Sequence, residues 1–130
     1  MSIQYKMIIK EDKINPEGLK KTEYHPLVVR ANTLALKEIC KNASQGKSIS
    51  AIEIETSVLM LLEQIKTELR NSNQVCLDGF GTFSITAESR PVEHPDGIQA
   101  ESIFVKQVVF MPSKKLMSGL KKAEFVKVKE

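Results

Sequence analysis

No stretch of this 130-residue chain approaches the roughly 20 consecutive apolar residues that cross a bilayer. Its opening segment, MSIQYKMIIKEDK, holds no uninterrupted apolar block of signal-peptide length. The expectation is a soluble, cytoplasmic protein with no membrane partner. Cysteine is scarce too. Cys40 and Cys76 fall in segments that read as a buried helix face and a buried strand, which suits two small reduced hydrophobes rather than a disulfide framework. No pair among His25, His94, Cys40 and Cys76 has metal-ligand spacing, so no metal site is expected. Glu53 and Glu55 lie two residues apart, on different faces of a helix, where they cannot share acid/base work. The run DGFGTF, Asp78 to Phe83, lacks the lysine and the following helix of a phosphate loop. An enzyme, a cofactor and a small-molecule substrate are therefore not expected.

Net charge is also small, +3 in all, but it is unevenly spread. From Met111 to Glu130 six lysines (Lys114, Lys115, Lys121, Lys122, Lys127 and Lys129) outweigh Glu124 and Glu130, leaving +4. From Ser84 to Phe110, Arg90 and Lys106 face Glu88, Glu93, Asp96 and Glu101, leaving −2. The C-terminal end is the basic one.

What is present reads as one domain of mixed α+β class, because a chain of this length and 42% hydrophobic content can fill one modest core. Ile3, Tyr5, Met7 and Ile9 alternate with Gln4, Lys6 and Lys10, the period-two pattern of a half-buried strand. Asn15, Pro16 and Gly18 make a loop, and YHPLVVR, Tyr24 to Arg30, a second short extended segment. Thr33 is placed to cap a short helix carrying Leu36, Ile39, Cys40 and Ala43, stopped by Gly46. Ser50 and Glu53 form a capping box for a long helix striped by Ile54, Val58, Leu61, Leu62, Ile65 and Leu69. Ile52, Leu59 and Met60 widen that stripe beyond what one neighbouring helix covers, so a second copy of the chain is expected against it. Val75 to Leu77, a turn at Asp78-Gly79, and a strand holding Phe80, Thr82 and Ile85 read as a β-hairpin. A polar run with Pro91, Pro95 and Gly97 then leads to a strand from Ser102 to Phe110, as the tip of a long hairpin or arm would. Pro112 and Ser113 open a final short helix, and EFVKVK follows as an edge strand.

The hairpin has a physical rationale of its own. Gly79 and Gly81 permit a tight turn and close backbone approach, while Phe80 and Phe83 can drive into the core and lock the hairpin base to the helices. With two preceding helices, the long polar hairpin, F-x-P-S-K-x-L and a short helix, the run V-x-L-x-G-F-G-T-F resembles the bacterial histone-like HU and integration-host-factor family. The added strand IQYKMIIK makes the chain most similar to the HU-like domains of Bacteroidetes. The resemblance covers residues 33–122, with 1–32 as an N-terminal extension and 123–130 as a tail.

That resemblance implies an HU-like fold: two helices on an antiparallel sheet, a long arm, a short C-terminal helix, and two intertwined chains. It further implies a nucleoid protein that binds duplex DNA with low sequence preference as a homodimer and bends it. Carried over by position, Pro95 stands where the arm-tip proline wedges between base pairs, with His94 in place of the family's asparagine. Arg90 and Lys106 flank it on the arm strands, Lys114 and Lys115 match the phosphate-contacting lysine motif, and Lys121 and Lys122 extend the basic helix. The arm departs from the family in being net acidic, whereas DNA affinity comes largely from neutralised phosphates. Two alternatives therefore stand beside these assignments. Pro95 serves as wedge or simply as turn former, and the HU fold serves DNA or, with acidic arms, protein partners.

Overall fold

The computed structural model describes residues 2–11, 22–91, 93–97 and 99–129. The chain forms two compact units, one of Met1–Ala35 with Leu120–Glu130 and one of Leu36–Gly119. The class is α+β, with three helices and two three-stranded sheets among the described residues.

The first unit is a sheet of β1 (Ser2–Glu11), β2 (Thr22–Val28) and β6 (Glu124–Lys127), in the order β2-β1-β6. β1 runs antiparallel to β2, with Tyr5 opposite Val28 and Ile9 opposite Tyr24. It runs parallel to β6, with Ile3 opposite Phe125. The tail is thus an edge strand that closes on the N-terminal strand of its own chain. The expected loop at Asn15, Pro16 and Gly18 lies outside the described residues.

In the second unit, α1 (Leu36–Ser44) packs on α2 (Ala51–Arg70), and Cys40 is the buried residue of α1. Helix α1 starts at Leu36, so Thr33 lies upstream of it and does not cap it. Gly46 follows the helix at φ +71°, a left-handed conformation that ends helices at low cost for glycine. Ser50 does cap α2: its Oγ accepts the Glu53 N–H at 3.2 Å. The reciprocal half of the box differs, because the Glu53 carboxylate accepts the Ser50 hydroxyl at 3.1 Å instead of the Ser50 amide. Ser50→Ala should therefore lower stability by about 1 kcal/mol, read as a shift in urea midpoint.

The stripe along α2 divides in two. Ile54, Val58, Ile65 and Leu69 are half-buried, whereas Leu61 and Leu62 join Ile52, Leu59 and Met60 in facing solvent. Cys40 is the one fully buried apolar side chain among the described residues. Helix α1 covers one side of α2, the C-terminal part of α2 faces the second sheet across a groove, and Ile52, Leu59, Met60, Leu61 and Leu62 stay exposed.

The second sheet comprises β3 (Val75–Leu77), β4 (Gly81–Glu88) and β5 (Phe104–Pro112), all antiparallel. Leu77 pairs with Gly81, so the turn has three residues and takes in Phe80, which had been expected in the strand. Phe80 N–H donates to the Leu77 carbonyl at 2.9 Å, and Gly79 sits at φ +80°. Phe80 is also partly exposed, and it reaches the sheet by tilting against Phe110 at 5.4 Å, while Phe83 packs on the same ring at 4.8 Å. Cys76 is exposed, not buried, because a short strand beside a turn leaves its outward face uncovered. Pairing of β4 with β5 stops at Glu88 and Phe104, and two short 3-10 turns, Pro95–Gly97 and Ala100–Ser102, occupy the connection.

Candidate functional site

Chain direction at the end of β5 is set by Pro112 and Ser113. Ser113 N–H donates to the Phe80 carbonyl at 2.9 Å, tying the start of α3 (Lys114–Lys121) to the β3–β4 turn. Its hydroxyl then accepts the Leu116 N–H at 3.1 Å and caps the helix. Lys114 and Lys115 are thereby held in a first turn with little freedom of position. The Lys115 stem lies along Gly79, where a methyl group would come within 3.4 Å of its Cδ and 3.8 Å of its Nζ. Neither lysine forms an ion pair among the described residues. Their charges remain available.

Beside this anchor the outward face of the sheet carries Thr82, Ser84, Thr86 and Gln107, which alternate with the inward Phe83 and Ile85, together with Cys76, Val109 and the exposed Met111 that pair with them. Thr82 and Ser84 line a hollow of about 370 Å³ with Gln74, Asp78, Gly79, Met111 and Ser113. The hydroxyl row was legible in the alternation of G-T-F-S-I-T but had not been assigned a role.

The inward face is apolar. Ile65 and Leu69 of α2 and Phe83, Ile85, Val105 and Val108 of the sheet border an open groove of about 540 Å³. Val105 and Val108 share it although they lie three positions apart, which an unbroken period of two forbids. A bulge explains this: Thr86 pairs with Gln107 and Ala87 with Val105, so Lys106 is the unpaired residue. Lys106 is exposed at that irregularity and free of ion pairs among the described residues.

Arg90 lies past the end of β4, in the connection rather than on an arm strand. His94 and Pro95 belong to a hydrogen-bonded turn, in which the His94 carbonyl accepts the Gly97 N–H at 2.9 Å with Pro95 at the second position. Both are exposed. Lys121 is the last residue of α3 and Lys122 follows it, both exposed and assigned to the first unit. The structure thus joins Lys114 and Lys115 to the hydroxyl face, while Arg90, His94 and Pro95 stand apart on the connection. An open surface that mixes hydroxyl donors and two unpaired ammonium groups with Asp78 and the apolar Val109 and Met111 suits an extended partner better than an enclosed small ligand.

No group of three or more potential metal ligands occurs among the described residues. No described helix is long and apolar enough to cross a membrane.

Residues 1–127 match the family model for an HU domain fused to wHTH, Ig, or glycine-rich motif. Integration host factor subunit alpha of Histophilus somni is 33% identical over 94 residues, covering 70% of this chain and 97% of the relative. The same subunit of Photorhabdus laumondii is 32% identical over 92 residues, covering 69% and 94%. A solved structure from Bacteroides vulgatus, of a candidate bacterial DNA-binding protein, superposes with a TM-score of 0.68 at 9% identity. That likeness covers 98% of this chain, which spans half the length of the Bacteroides one.

Proposed function

The chain belongs to the family of HU domains fused to wHTH, Ig or glycine-rich motifs, and on that footing we propose that it binds duplex DNA. It does so with low sequence specificity, as a homodimer and without catalysis, in the bacterial nucleoid. The observation that carries this reading is the anchored pair Lys114 and Lys115 beside the hydroxyl row of β4. Phosphate contacts fix a protein on DNA without reading sequence, and lysines with hydroxyl donors are the groups that make them.

A second copy is supported by the uncovered helix face and the open groove. Ile52 and Met60 are 76% and 70% exposed, and the groove has an apolar lining with no side chain filling it. A small domain that leaves such a face open completes its core by self-association.

Bending rests on the arm. Pro95 at an exposed turn is where a wedge would act, but unstacking costs a few kcal/mol per step and needs wrapped contacts to offset it. Glu88, Glu93, Asp96 and Glu101 oppose such wrapping, and this acidity favours a second reading, an HU-fold module that engages protein partners through its arms.

Fluorescence anisotropy against a duplex of about 30 base pairs, intact and nicked, at roughly 50 and 200 mM salt separates the two. Salt-sensitive binding is the expected result, and no binding at low salt would move the search to protein partners. Pro95→Ala should abolish any preference for the nicked duplex if Pro95 is a wedge. An unchanged preference would leave it as the former of the His94–Gly97 turn.

A further inference from the structure

The turn between β3 and β4 sets a carboxylate within the surface that the DNA reading gives to phosphates. Thr82 pairs with Cys76 on one side and Met111 on the other, and residues paired across strands share a face, so Cys76 lies on the outward face with the hydroxyl row. The Cys76 thiol approaches Asp78 Oδ1 at 3.9 Å. That contact directs the carboxylate to the outward face, and Asp78 accordingly lines the same hollow as Thr82, Ser84 and Ser113. A thiol is a weak donor and leaves the negative charge in place. Asp78 forms no ion pair among the described residues.

The anchored lysines stand close by. Lys115 Nζ would be 3.8 Å from a methyl group on Gly79, the residue after Asp78, which puts this ammonium within about 9 Å of the Asp78 Cα. The Ser113 N–H, bonded to the Phe80 carbonyl, fixes the start of α3 against the same turn. Asp78 and Lys115 thus hold opposite charges over one patch without a direct bond between them. Their spacing is comparable with the Debye length at ordinary salt, about 8–10 Å, so a phosphate seated on Lys115 feels both charges.

We infer, on the footing of the DNA reading proposed above, that Asp78 limits the affinity of this surface for DNA, so that removing its charge tightens binding to every duplex. The sugar-phosphate backbone of DNA offers acceptors and negative charge but no N–H or 2′-hydroxyl, so a carboxylate facing it finds no donor and repels. A favourable role would require a base. Cytosine N4 in the major groove or guanine N2 in the minor groove could donate to Asp78, and either would make binding depend on sequence. The arm carries the same sign of charge, since Glu88, Glu93, Asp96 and Glu101 outnumber Arg90 and Lys106. Asp78 differs from those residues in its place. A turn with Gly79 at φ +80° holds it beside Lys115, so it acts on whatever that lysine binds.

Asp78→Asn keeps the size and turn preference of the residue and removes only its charge. Anisotropy titration of the full chain at roughly 50 mM salt, against an A·T-rich and a G·C-rich duplex of about 30 base pairs, should show binding tighter by about 3- to 10-fold for both. The gain should shrink at roughly 200 mM salt, because the repulsion is screened. Asp78→Ser should reproduce it with an unchanged far-UV circular dichroism. Glu63→Gln makes the same change of net charge on α2, whose C-terminal part faces the inward side of the sheet, and should leave affinity within about twofold of wild type. An equal gain from Glu63→Gln would assign the effect to net charge and overturn the inference. Weaker binding confined to the G·C-rich duplex would also overturn it, by making Asp78 a reader of bases. Unchanged affinity in both Asp78 variants, with binding still lost on replacing Lys114 and Lys115 by alanine, would overturn it while leaving the DNA reading intact. No binding by wild type or Asp78→Asn at low salt would remove both.

Discussion

Gly81→Ala is expected to destabilise the fold by about 3 kcal/mol, read as a lower urea midpoint at unchanged slope. Gly81 is buried at the first position of β4, opposite Pro112. A methyl group there would collide with the Phe110 ring and come within 2.6 Å of the Met111 carbonyl oxygen. Neither can yield easily. Phe110 is held between Phe80 and Phe83, and Met111 belongs to the strand paired with Thr82. Gly79→Ala makes a useful contrast, because its neighbour is only the flexible Lys115 stem and its cost is the left-handed backbone at φ +80°, about 1–2 kcal/mol. The two glycines of DGFGTF thus act by different physics, one by close approach and one by conformation. Both variants should be measured at one protein concentration, since self-association would add to apparent stability. A cost below about 0.5 kcal/mol at Gly81 would mean that the sheet has room the structure does not show.

Much of the second unit was legible because its signals are local. Ser50 and Glu53 mark the start of α2, Gly46 the end of α1, and Pro112-Ser113 the start of α3, each through a hydrogen bond or dihedral set by a few neighbouring residues. Phe80 and Cys76 were misplaced for a related reason. Alternation continues across a short turn in sequence, but a three-residue turn shifts which residue begins the ladder, and a strand of three residues beside it has little to cover its outer side. The bulge at Lys106 was invisible, since an extra residue in one strand shows only against its partner. So was the parallel pairing of β1 with β6, which joins the two ends of the chain. For the candidate site, the lysines could be found from charge and motif. Their anchoring through Ser113 and Phe80 required the fold.

The pair Lys114→Ala with Lys115→Ala is expected to weaken DNA binding by between about 10²- and 10³-fold at roughly 150 mM salt. Two cations per chain make four in a homodimer, and each neutralised phosphate contributes about 0.9 to the slope of log affinity against log salt, so the slope should shrink by about 3 to 4. The loss should be nearly equal for unrelated duplexes, because contacts to the backbone carry no sequence information. Position is what gives these lysines such weight. Lys115 is laid along Gly79 and both follow a serine bonded to the turn, so less side-chain and backbone freedom is lost on binding than for a lysine on an unanchored segment. Replacing both by arginine keeps the charges and should restore most of the affinity and the slope. If alanine at both positions changes neither, the basic start of α3 is only a solvated face. The DNA reading would then have to rest on Lys121 and Lys122, or give way to the reading in which the acidic arm meets a protein.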